Sequence, residues 1–247
     1  MYLSLSKRFC QSYMTELSKY IGADVDLPSL GEGITAAEIG YLYGQYKRIN
    51  KHCGEQGRGL LWGGSSPYEQ AQGFGVAHFA KIMLEDKGLS LAGKKCVITG
   101  SNYVAMSLAE KLIEFGAIPL TFTDSSGSIY EPSGFNLVNL KTVQKIKAER
   151  GARVGRYILA STSAKFNEPS AVFKVPCDLI FSCSTVSRLE EADILSLAAN
   201  GCTGLIEGVQ QSATNAAITA AKKKGLHHAP YRATTLGGAL FNGASAK

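Results

Sequence analysis

Four short apolar runs constrain this chain more than any other feature. They are Lys95–Thr99, Ile118–Thr123, Leu179–Cys183 and Thr203–Glu207. Each reads as a buried strand, and the helical patterns Val104–Phe115, Leu137–Arg150, Leu189–Ala199 and Ala213–Lys224 alternate with them. Short strand-like runs alternating with helices predict an α/β fold: a doubly wound parallel sheet with covering helices. Ligands of such sheets sit outside the carboxyl ends of the strands. Gly100, Asp124, Ser184 and Gly208 all lie at such ends.

The N-terminal part follows another pattern. Residues 8–21 have helical spacing, with Phe9, Tyr13, Leu17 and Ile21 on one stripe. The loop "GADVDLPSLGEG" leads to a second helix that ends at Gly54. The glycine-rich connector "RGLLWGGSSP" then places a boundary between a smaller, mostly helical lobe (1–66) and the α/β domain (67–247). The domain opens on a long helix from Tyr68 to Gly88, with Phe74, Ala77, Ile82 and Met83 near one face.

Composition excludes several function classes. A chain of 247 residues, 45% hydrophobic, has ample core for such a domain. No apolar run approaches the roughly 18 residues that a membrane span needs. The net charge of +6 is mild, and its lysines cluster at Lys141–Lys147 and Lys222–Lys224, on expected helices. Solvated helix faces account for them better than a nucleic-acid patch does, and no Arg/Gly tract or aromatic RNA-binding motif strengthens the latter. The six cysteines form no C-x-x-C pair. They read as reduced thiols in a mitochondrial-matrix or cytoplasmic setting, not as disulfides or metal ligands. The start "MYLSLSKRFC" is too short and polar for a secretory signal.

Several motifs in fixed order carry a family resemblance. "RFCQSYMTELSKYIG", "EIGYLYGQYKR", "GLLWGGS", "LEDKGLSLAGKKCVITGS", "PCDLIFSCST" and "LAANGC" together resemble the hexameric NADP-type glutamate dehydrogenases. The match runs from about Arg8 to about Gly238. It implies a substrate lobe followed by a Rossmann-like domain of the dinucleotide-binding type, an NADP cofactor and oxidative deamination of glutamate. It also implies a truncated member, with residues 1–66 a remnant of the substrate lobe. The family's segment with the substrate-binding and catalytic lysines lies before the matched region, and its long C-terminal helix lies after it.

Within the matched region the functional positions differ from the family. Counting back from Glu38-Ile39-Gly40 puts Gly31 where the family has its catalytic aspartate, and glycine has no proton to move. Glu32 is the adjacent carboxylate, although a shift by one residue redirects the side chain. The family's arginine and threonine in the connector and first helix are Tyr68 and Gln72 here. Asparagines that the resemblance assigns to the cofactor or the active cleft become Ser187, Gln210 and Thr235.

The turn after the first strand decides how these changes are read. The family's G-S-G-N-V-A is Gly100-Ser101-Asn102-Tyr103-Val104-Ala105 here. The second glycine lets backbone approach a pyrophosphate, and Asn102 puts a Cβ there. Asparagine tolerates left-handed backbone angles, so the turn can still form. Tyr103 brings a ring to the helix N-terminus where phosphate would rest. Asp124 stands at the distance of a ribose-contacting acid, and equally reads as an acid in a strand-end turn. Gly100, Ser101, Asn102, Asp124 and Ser184 are therefore a degenerate cofactor set, and no cofactor is expected unless NADP binding is retained. The expected function is a catalytically inactive, glutamate-dehydrogenase-like structural subunit of a larger, mitochondrial assembly, with protein partners. The alternatives are an NADP-dependent dehydrogenase completed by another chain, or a nucleotide-binding regulator without catalysis.

Overall fold

The computed structural model describes residues 2–22, 25, 36–50, 68–149, 151–185 and 188–245. The chain divides into two compact units: Met1–Glu69 with Ala239–Lys247, and Gln70–Gly238. Gly31, Glu32, Ser187 and the glycine-rich connector lie outside the described residues.

In the first unit, helices α1 (Tyr2–Leu17) and α2 (Ala36–Ile49) pack on each other. The buried stripe of α1 is Cys10, Met14 and Ser18, facing a core that includes Ile39, Tyr43 and Tyr46 of α2. The expected stripe is displaced by one position. Phe9 is 69% and Tyr13 53% exposed, and their rings stack on each other at 6.1 Å. Both stripes have four-residue spacing, so periodicity alone does not separate them. Packing selects the slimmer Cys10–Met14 side, which Ser6 Oγ donating to Glu38 (3.1 Å) and Gln45 donating to Thr15 Oγ1 (3.0 Å) flank as cross-links.

The second unit is the doubly wound sheet. Its strands are β1 (Lys95–Thr99), β2 (Ile118–Pro119), β6 (Leu179–Ser182), β7 (Gly204–Glu207) and β8 (His227–Ala229), in the order β2-β1-β6-β7-β8, all parallel. One face is covered by α3 (Tyr68–Glu85), α4 (Tyr103–Glu114) and α5 (Leu137–Ala148) around Phe122, Phe181 and Leu112. The other is covered by α6 (Glu191–Ala199), α7 (Asn215–Lys223) and the 3-10 turn Pro169–Lys174 around Ile180 and Leu205. On α3 the buried residues are Val76, Ala77, Ala80 and Leu84, while Ile82, expected inside, is 62% exposed.

The expected strand Ile118–Thr123 is two strands. Leu120 N donates the last ladder bond, to the Cys96 carbonyl (2.8 Å). Thr121 then leaves the ladder, and its Oγ1 both accepts from Ile98 N and donates to Ile98 O, each at 3.0 Å. From there β3 (Thr121–Asp124) pairs antiparallel with β4 (Gly127–Tyr130), and β5 (Lys165–Asn167) completes a separate three-stranded sheet. Helices α8 (Tyr231–Thr234) and α9 (Leu236–Ser245) follow β8.

Candidate functional site

The sheet brings the sequence-predicted positions together at its carboxyl edge. Gly100 closes β1 with φ +88°, and a Cβ there would lie 2.6 Å from the Cys183 carbonyl oxygen and 3.4 Å from the Ser184 Cβ. Its glycine is therefore required twice, by backbone angle and by space. Gly100 N donates to Thr123 Oγ1 (2.7 Å), which ties the end of β1 to β3. Ser101 and Ser184 are buried beside this crossing.

Asn102 is not left-handed, contrary to the expectation for this turn. Its φ of −79° and ψ of 178° are extended, and it is the N-cap of α4. Oδ1 accepts from Ala105 N (3.0 Å), while Nδ2 donates to the Cys183 carbonyl (2.9 Å). Gly100 alone absorbs the positive φ of the turn. Asn102 thus serves the fold at the position where the family's glycine lets backbone approach a pyrophosphate.

Tyr103 and Gln72 form a second link. Helix α3 crosses the start of α4 at Gly73, where a Cβ would lie 2.1 Å from Ser107 Oγ and 2.6 Å from both Leu108 N and Val104 O. That approach puts Gln72 beside Tyr103. Tyr103 OH donates to Gln72 Oε1 (3.4 Å), and Gln72 Nε2 donates to the Gly208 carbonyl (3.1 Å). The relay joins the N-terminus of α4, helix α3 and the end of β7. Its members are 31 and 136 residues apart in sequence.

Asp124 lies next along from Thr123, but its carboxylate is engaged locally. Oδ1 accepts from Ser126 N (2.8 Å) and Ser126 Oγ (2.5 Å); Oδ2 accepts from Val154 N (2.8 Å) and lies 3.6 Å from Lys147 Nζ. Burial alone would raise its pKa. The Ser126 and Val154 hydrogen bonds and the Lys147 charge outweigh that and hold the carboxyl below its ordinary value. Arg153 Nη1 donates to Ser125 Oγ at 2.5 Å, so two cations, Lys147 and Arg153, stand around this turn.

A buried pair escapes sequence reasoning altogether. His228 Nε2 lies 2.7 Å from Glu207 Oε1, with side chains 11% and 4% exposed. The carbonyl of Glu207 also accepts from Thr234 Oγ1. The signal was present in the acid ending β7, but its partner sits on a strand too short to read from the sequence.

Profile comparison settles the family. The Glutamate/Leucine/Phenylalanine/Valine dehydrogenase family matches residues 63–244, and the dimerisation domain of Glu/Leu/Phe/Val dehydrogenases matches residues 4–48. The chain belongs to this dehydrogenase family. An NADP-specific glutamate dehydrogenase of Chlorella sorokiniana is 39% identical over 96% of the chain and 46% of its own length. One from Helicobacter pylori (strain J99 / ATCC 700824) is 38% identical over 96% and 54%. The crystal structure of Plasmodium falciparum glutamate dehydrogenase superposes with a TM-score of 0.91 at 33% identity, covering 98% of this chain and 52% of that one. The chain thus spans about half the length of the relatives it matches. Among the described residues, no group of three or more His, Cys, Asp or Glu could hold a metal ion, and no helix is long and apolar enough to cross a membrane.

The architecture of this dehydrogenase family fits a nicotinamide dinucleotide only in part. The strand ends and the helix N-terminus have the family's layout. The site-lining side chains Asn102, Tyr103 and Gln72 instead bond to one another's elements.

Proposed function

We propose that this chain is a non-catalytic member of the dehydrogenase family, serving as a structural subunit of a larger assembly in the mitochondrial matrix or cytoplasm. The observation that carries the reading is the Tyr103–Gln72–Gly208 relay, backed by the Asn102 cap. Both engage, in internal bonds, groups at positions that the resemblance gives to the cofactor. Gly31 at the position of the catalytic aspartate points the same way. Calorimetry with NADP and NADPH, together with an assay of glutamate-dependent NADP reduction, tests it. Neither heat of binding at millimolar nucleotide nor turnover is expected. Turnover by the native protein, alone or with a co-purifying chain, would overturn the reading. It would favour an NADP-dependent glutamate dehydrogenase completed by another chain, with Glu32 as the first residue to change.

A second reading has its own support. Lys147 and Arg153 around the Asp124–Ser126 turn offer positive charge where a phosphorylated ribose would sit. A nucleotide-binding regulator without catalysis follows if nucleotide binds, no turnover occurs, and Arg153→Ala weakens the binding.

A further inference from the structure

We propose that Cys177 and Cys202 form a peroxide-sensitive thiol pair that closes to a disulfide across the amino ends of β6 and β7. The strand register sets up the pair. Leu179 of β6 is opposite Gly204 of β7, and the parallel alignment continues outward, with Thr203 N donating to the Asp178 carbonyl (2.8 Å) and Thr203 Oγ1 donating to the same oxygen (3.0 Å). Two steps before Leu179 is Cys177; two steps before Gly204 is Cys202. Neighbouring strands lie about 4.8 Å apart, inside the Cα separation of about 4.4–6.8 Å that a disulfide spans. Both side chains enter the same apolar cluster, with Val172, Ile194 and Leu197. Both cysteines are free, and Cys202 Sγ donates to the Gly204 carbonyl (3.4 Å).

Cys202 lies between exposed Gly201 and Thr203, and Cys177 follows exposed Pro176, while the two cysteines themselves are buried. Either sulfur can attack first, and the other then resolves it. Asp178, paired with Lys94 at 3.2 Å, is the charged neighbour of both, and Cys96 of β1 packs in the other core cluster. The thiolate of one cysteine attacks one oxygen of hydrogen peroxide, giving a sulfenic acid, and hydroxide leaves to be protonated to water. The other sulfur then displaces the sulfenic hydroxyl, which departs as a second water carrying that thiol's proton. Two thiols are oxidised by two electrons and one peroxide is reduced.

The test is disulfide mapping of the native wild-type chain after mild peroxide treatment, with free thiols capped by N-ethylmaleimide and digestion without reductant. A Cys177–Cys202 cross-linked peptide, lighter by two hydrogens and lost on dithiothreitol treatment, is expected, with circular dichroism unchanged. Cys96→Ser should leave its yield intact, and Cys202→Ser should abolish it. The proposal is overturned if both thiols remain alkylated, if either proceeds to sulfinic acid without cross-linking, if Cys96 pairs as often as Cys177, or if the link forms only with loss of the circular-dichroism signal.

Discussion

Replacing Asn102 measures what the turn does for folding and tests whether it binds a cofactor. In Asn102→Ala the α4 N-cap is lost, a change that costs about 1 kcal/mol. The donor to the Cys183 carbonyl is lost as well. That oxygen lies in the buried crossing under Gly100, so a further ~1 kcal/mol goes with it. The sum is about 2 kcal/mol. Asn102→Ser keeps a capping oxygen but cannot reach Cys183, so its cost should be about 1 kcal/mol. Asn102→Gly loses only a few tenths at the cap and the same cross-link, and should fall close to serine. Urea unfolding followed by far-UV circular dichroism reads these differences. With a slope near 3 kcal/mol/M, the alanine midpoint should drop by roughly 0.7 M and the other two by roughly half that. The reasoning fails if alanine is within experimental error of the wild type, or if alanine and serine are equal. Asn102→Gly carries a second readout. It restores the family's residue, yet the Tyr103–Gln72 relay remains, so no NADP binding should return.

Three other sites give distinct outcomes. Gly73→Ala puts a methyl group 2.1 Å from Ser107 Oγ and 2.6 Å from two backbone atoms of α4; thermal melting should show a loss of about 3 kcal/mol or failure to fold, because backbone cannot rotate aside. His228→Ala leaves the buried Glu207 carboxylate without its partner at 2.7 Å, and urea unfolding should register a loss of about 2–3 kcal/mol. Glu131 is buried and accepts from Ser133 (3.1 Å), Ser161 (2.9 Å), Ser163 and Tyr157 (3.4 Å). Burial raises its pKa, but the hydroxyls of Ser163, Ser161, Ser133 and Tyr157 outweigh it and hold the carboxyl below 4.5. A depressed folded value means stability that is complete above the unfolded pKa and lost as pH falls through the folded one. Glu131→Gln should therefore cost about 2 kcal/mol at pH 7, and its stability should converge on the wild type in acid. A gap that persists unchanged at low pH would count against the carboxylate as its source.

The parts of the fold that were legible are those with uniform local signals. The strands β1, β6 and β7 are almost wholly buried because both faces are covered, and their helices have clear periods. Strand β8 was not legible, since His227-His228-Ala229 offers three residues and two imidazoles. The division of Ile118–Thr123 depends on Thr121 replacing a ladder bond with its hydroxyl, a choice made only against Ile98. The α1 stripe failed for a related reason: two apolar stripes satisfied one period, and only α2 discriminates. At the site, the Asn102 and Tyr103 substitutions were visible as departures from a pattern, but not their partners. Gln72 meets Tyr103 because Gly73 lets α3 lie on α4, a fact of packing that no window of sequence contains.

The turn after β1 must meet two physical demands, and in this chain they separate. Folding asks that the first N–H groups of α4 be satisfied and that the end of β1 stay joined to β6. Cofactor binding asks that the same N–H groups and the same backbone remain open to a phosphate. A glycine at the second position serves binding and leaves the cap to the ligand or to water. Asparagine serves folding: one side chain caps Ala105 and bridges to Cys183. The same trade appears at Gln72, which gives its amide to the Gly208 carbonyl and its oxygen to Tyr103. Two positions far apart in sequence thus have their polar ends engaged inside the fold, and that engagement is what the structural role proposed above asks of this edge.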